Sequence, residues 1–139
     1  MEGTGVAFSQ KLLILFIMIF CHLIDDYKLQ GILANMKQRK WWKENADKDL
    51  YRNDYKMALI EHAFSWSFTT TLPFHIIAFI QNNGVLAVLL IVSFIINTAI
   101  HAFVDDLKAN KFKINLIEDQ LVHLLQIIGT WIILAAAIK

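Results

Sequence analysis

The chain has 139 residues, of which 57% are hydrophobic and 18% charged, and its mean hydropathy is +0.49. A net charge of +1 argues against a nucleic-acid partner, because binding a phosphate backbone takes a clustered basic surface. The lone cysteine, Cys21, excludes an internal disulfide, and the composition is that of a small integral membrane protein in one domain over residues 1–139.

Crossing the hydrocarbon core takes about 20 predominantly apolar residues, and four segments qualify: 6–24, 57–80, 85–104 and 116–138. The pattern predicts an all-α integral membrane four-helix bundle of two tandem helical hairpins. Its helices are expected at about 6–30, 56–80, 84–108 and 116–138, with a basic loop over 31–55. The first segment lacks a small-residue cleavage site and continues into His22, Asp25 and Asp26, so it is expected to stay in the mature protein. Pro73 is expected to kink the second helix, and Trp66 on that helix is expected to serve packing.

The loop after the first helix mixes Lys37, Arg39, Lys40, Lys43, Lys48, Arg52 and Lys56 with Glu44, Asp47, Asp49 and Asp54, and carries Trp41, Trp42, Tyr51 and Tyr55. Aromatic rings beside lysines suit the headgroup layer, so this loop is expected to lie on the inner membrane surface, partly helical, roofing whatever lies beneath. Lys108, Lys111 and Lys113 follow the third helix, whereas residues 81–84 carry no charge. By the positive-inside rule both basic loops face the cytoplasm and both termini face outward. Asn115, with Glu118 three residues on, resembles a capping box at the start of the fourth helix.

In that orientation His22 with Asp26, His62, His101 with Asp105, and Asp119 with His123 all fall at one depth near the cytoplasmic face. A spacing of four puts both members of each pair on one side of a helix, so the pairs can aim at a common point. Gln30, Asn97 and Lys108, members of the same polar stripes, are candidates to orient these groups or to hold substrate. Asp25 and Asp106 sit about 100° around their helices from Asp26 and Asp105 and are expected to meet solvent or the basic loops. Cys21, beside His22, is expected to face lipid or a neighbouring helix, and His75 lies toward the opposite face. The two halves form a weak repeat, each an HxxxD hairpin returning to a histidine, with Ala58 standing where the second half has Asp119.

An ionisable side chain at mid-membrane costs roughly 2.5 to 3.5 kcal/mol on insertion scales and less near the interface. Seven such groups need mutual compensation. For one His–Asp pair, a hydrogen bond joining two helices is the better reading; three pairs and a fourth histidine at one depth favour a metal or catalytic site. His22, Asp26, His62, His101, Asp105, Asp119 and His123 are the candidate ligands of a divalent ion, Zn, Mn or Fe, in a one-metal or two-metal arrangement. Asp26, Asp105 and Asp119 are the candidate catalytic bases. An open position on such a metal would lower the pKa of water toward about 7 and favour hydrolysis.

The runs HLIDDYKLQ at 22–30, HAFVDDLK at 101–108 and DQLVH at 119–123 resemble the HxxxDxxxQ, HxxxDxxK and DQxxH blocks of the domain of unknown function 3307, a family of small bacterial and phage membrane proteins. His62 takes the place of that family's histidine in the second helix, Gln120 matches the glutamine of its DQxxH block and is by that resemblance a further candidate to orient these groups or to hold substrate, and Asp25 stands where such proteins usually have a small residue. The resemblance implies a multi-pass protein of the bacterial inner membrane, or of the host membrane if phage-encoded, and carries no established activity. More distantly, the pattern resembles predicted membrane-bound metal-dependent hydrolases. Two functions are therefore expected from the sequence: a metal-dependent hydrolase acting at the inner leaflet, with an anionic lipid or phosphate group held by Lys108 and the basic loop, or a non-enzymatic interaction or metal- or proton-handling protein whose cluster packs helices. A transporter is disfavoured because the ionisable groups gather at one face.

Overall fold

The computed structural model describes residues 6–46 and 49–138; Asp47 and Lys48, counted above among the loop charges, lie outside them. All its elements are helices: α1 (Phe8–Ile24), a π-helical turn (Asp25–Leu29), α2 (Leu33–Met36), α3 (Arg39–Asn45), α4 (Asp54–Ile80), α5 (Gly84–Ala109) and α6 (Leu116–Ala137). Three of them, α4, α5 and α6, are long and apolar enough to cross a membrane by length and composition. The α-helical part of α1 has 17 residues, about 26 Å at 1.5 Å per residue. That is a little short of the roughly 30 Å hydrocarbon core, and the π turn extends the rod.

α4 packs against α1 and α5, and α6 packs against α5 and α1, so the four long rods close on one another. Local sequence fixes the ends. Asn115 accepts from the amides of Ile117 (2.9 Å) and Glu118 (3.0 Å) while its own amide donates to Glu118 Oε2 (2.8 Å), the expected capping box. Asn83 caps α5 through the Leu86 amide (3.1 Å), and its Nδ2 donates to the Ala137 carbonyl (2.9 Å), tying the end of α6 to the start of α5. The tight α4–α5 turn passes through Asn82 at φ 47°, a left-handed conformation asparagine tolerates. α4 continues through Pro73 without interruption.

Polarity is distributed inside out. Phe16, Phe79, Ile95 and Leu125 are among many large apolar side chains on the outer surface, as lipid contact favours. The interior divides along its length. Ile14, Met18, Phe74, Leu86, Leu90, Ile127 and Leu134 fill one end, and the histidines and aspartates fill the other.

Candidate metal centre

The π turn positions the site. An i→i+5 bond from the Gln30 amide to the Asp25 carbonyl (3.1 Å) widens the end of the first rod, and turns of this kind recur at functional sites. Both Asp25 and Asp26 are buried there. This corrects the expectation that Asp25 meets solvent. It is fully buried, with Oδ1 accepting from Ser65 (2.8 Å) and Thr69 (3.3 Å) and Oδ2 lying 3.7 Å from His62 Nδ1. Asp106 behaves as expected, pairing with Lys111 at 2.9 Å near the surface.

At the centre, His62 Nε2 lies 3.2 Å from His101 Nε2, 3.3 Å from Asp26 Oδ1 and 3.6 Å from Asp105 Oδ2. His101 Nε2 lies 3.8 Å from Asp26 Oδ1 and 3.9 Å from Asp105 Oδ2. Ligands bound tetrahedrally at about 2.0–2.1 Å stand roughly 3.4 Å apart, so these spacings fit a first-row divalent ion with little movement. Among the described residues two groups of ligand atoms are compact enough to hold one: Asp26, His62 and His101, and His101, Asp105 and His123. His101 belongs to both. The sequence repeat is visible in the matching pairs Asp26–His62 (3.3 Å) and Asp105–His123 (3.5 Å).

Hydrogen bonds select the tautomers around this centre. Gln126 Nε2 faces the Asn97 carbonyl and Oδ1, so its Oε1 accepts from His123 Nδ1 (3.1 Å). His123 Nε2 then faces Asp105 Oδ1 and Asp119 Oδ1, each at 3.5 Å. His123 Nε2, Asp119 Oδ1 and Asp26 Oδ1 are all buried without a hydrogen-bond partner among the described residues. A positive charge between these groups, either a proton on His123 Nε2 or a bound ion, would relieve their mutual repulsion, and the donor set of imidazoles and carboxylates suits a divalent metal.

His22 sits differently from the expectation that it is a ligand. The Trp66 indole N–H donates to His22 Nδ1 (2.8 Å), which leaves Nε2–H to donate to Gln120 Oε1 (3.0 Å). Both ring nitrogens are thus engaged by protein, and His22 falls outside both ligand groups. Gln120 Nε2 carries the chain onward to Asp26 Oδ2 (3.0 Å) and Asp119 Oδ2 (3.2 Å). Trp66, read from sequence as packing, also stacks on His101 at 4.2 Å between ring centroids. Asn97 lies a helical turn beneath His101 and donates to Thr130 (2.8 Å). Gln30 Nε2 folds back to donate to the Asp26 carbonyl.

Two ammonium groups close the shell. Lys108 binds Asp119 Oδ2, and Lys37, from the turn between α2 and α3, reaches in to Asp105 Oδ2 at 2.6 Å and is itself buried. Asn110 fixes that turn by donating to the Lys37 carbonyl (2.9 Å) and accepting from the Arg39 amide (2.7 Å). In the sequence Lys37 is one loop cation among several. No periodicity marks a residue off the helices, whereas Asp25 could have been found from its i+3 spacing to His22, which shares a face as i+4 does.

Comparison of the chain with protein-family models, with curated proteins and with solved structures gave no match in any of the three.

Proposed function

We propose that the protein spans the membrane four times with both termini outside and is a metal-dependent hydrolase that acts on a membrane-associated substrate at the cytoplasmic face. Kinship with the domain of unknown function 3307 family is part of this reading and rests on its three motif blocks. The observation that carries the metal is a charge count. Four carboxylates, Asp25, Asp26, Asp105 and Asp119, are at most 7% exposed, and two ammoniums, Lys37 and Lys108, face them. With the four carboxylates ionised and the histidines neutral, as metal ligation requires, two negative charges remain, which one divalent cation would balance in a setting where unpaired charge is costly.

Asp26, His62 and His101 would hold the ion, with Asp105 and His123 adjoining. When bound, such an ion supplies Lewis acidity and brings the pKa of water toward about 7. Asp119 Oδ1 accepts the proton of the attacking water while Lys108 holds the other oxygen of that carboxylate.

The test is elemental analysis of the purified full chain and of His101→Ala. The expected result is close to one Zn, Mn or Fe per chain in the wild type and loss of it in the variant, with helical circular dichroism unchanged. Metal-free wild type, or a variant that keeps its metal, overturns the reading. A second reading, a non-enzymatic interaction or metal- or proton-handling protein, is favoured by the hydrogen-bonded run Trp66–His22–Gln120–Asp26, which joins α4, α1 and α6 without an ion. There His101→Ala binds no less metal than wild type and unfolds more readily.

A further inference from the structure

Next to the cluster, where α3 and the segment before α4 fold against the start of α4, lies a cavity of about 690 Å³. Arg39, Lys43, Arg52 and Lys56 line it, and the carboxylate among its described lining residues is Asp49. Four cations against one carboxylate leave the concavity with an excess of positive charge that a bound anion would offset, and a concave wall removes part of the water that would screen that anion. The arginine is preset. Its guanidinium lies over the buried Tyr55 ring at 4.5 Å and bonds the Tyr55 hydroxyl, while its backbone amide is held by Asn110. Lys56 approaches the same ring at 6.0 Å. Trp42 and Tyr51, stacked at 5.8 Å, form a further wall with the amphipathic character of an interfacial aromatic.

The position of the cavity says what the anion is attached to. Tyr55 precedes His62 by seven residues on α4, about 10 Å of rise, so the cavity sits just outside the level of the cluster. Immediately inward, Met57, Ile60 and Phe64 are exposed at helical spacing on one face of α4, with exposed Glu61 at the edge of that face, and Leu50 is exposed near the cavity rim. A basic hollow at the headgroup level, continued by an apolar strip running toward mid-membrane, matches an amphiphile with a negative head. We propose that this cavity binds the phosphate headgroup of an anionic bilayer lipid, whose chains lie along Met57, Ile60 and Phe64. The assignment rests on the membrane reading above and is independent of the metal.

The test is native mass spectrometry of the full chain in detergent, offered phosphatidylglycerol and phosphatidylcholine together, with and without inorganic phosphate. Phosphatidylglycerol should be retained in preference. Lys43→Gln with Arg52→Gln, both exposed and outside the ligand groups, should weaken that retention roughly 30-fold, about 2 kcal/mol, with metal content and helical circular dichroism unchanged. Equal retention of the two lipids, or undiminished retention by the double variant, overturns the assignment. Displacement of the lipid by millimolar phosphate also overturns it, since the ligand is then a free anion. His101→Ala separates the two proposals: it should lose metal and keep phosphatidylglycerol.

Discussion

Replacing Asp25 by Asn changes one atom and one charge, and its effects on stability and on metal binding should have opposite signs. In the wild type Asp25 Oδ2 lies 3.7 Å from His62 Nδ1, beyond hydrogen-bond range, and its charge favours the tautomer with the proton on Nδ1, which turns the Nε2 lone pair toward Asp26 Oδ1 and His101 Nε2. An Asn at this position can keep the Ser65 bond through its oxygen while its NH₂ donates to Nδ1. His62 then carries its proton on Nε2, aimed at Asp26 Oδ1 only 3.3 Å away. The metal-free protein gains two satisfied polar atoms and loses one of four crowded negative charges, so it should be more stable by about 1 kcal/mol. Metal binding should suffer. A cation on His62 Nε2 lies roughly 8 Å from Asp25 Oδ2, and removing that charge costs about 4 kcal/mol at an effective dielectric of 20, an upper figure for a site near the interface. Loss of a carboxylate behind a metal-ligating histidine typically weakens binding 10–100-fold, and the upper end, about 100-fold, is expected because charge and tautomer both turn unfavourable. Competition with a chromophoric chelator measures the affinity, and unfolding of the metal-free protein measures the stability. An Asp25→Asn protein with wild-type zinc affinity would refute the role given to this carboxylate.

Trp66→Phe keeps a ring over His101 but removes the donor to buried His22 Nδ1, so unfolding should become easier by about 1–3 kcal/mol with metal retained. Gln120→Leu deletes the amide that bridges His22, Asp26 and Asp119 and should cost about 3 kcal/mol, read by denaturant unfolding in detergent, with a smaller loss of metal affinity than His101→Ala. Asn115→Ala removes the cap of α6 and should cost about 1 kcal/mol, seen as faster hydrogen exchange at the Ile117 and Glu118 amides. Reporters fused to the two termini should both read as outside the cytoplasm; opposite readings would remove one crossing from the proposed topology.

The helices were legible because both signals that define them are local. The helices expected at about 56–80, 84–108 and 116–138 lie within two residues of α4, α5 and α6, and the Asn115–Glu118 spacing gave the cap. The gathering of Asp26, His62, His101, Asp105 and His123 at one level was legible too, since equal depth follows from counting residues along each rod. Rotation about the rods was not. A π turn widens the end of the first rod and brings Asp25 in with Asp26, and no residue in Asp25–Leu29 announces it. The role of His22 was hidden because it depends on Trp66, a residue of α4 whose indole reaches across to α1. Lys37 was hidden for a related reason: its position is set by Asn110, 73 residues later in the chain.

The central claim is that a divalent ion completes the buried His–Asp cluster, and X-ray absorption at the metal edge of the purified protein tests it most directly. The expected spectrum has a first shell of nitrogen and oxygen at about 2.0–2.1 Å, with the outer-shell scattering of two imidazole rings that disappears in part on His62→Ala. A protein that carries no metal, or a shell without imidazole scattering, would contradict it.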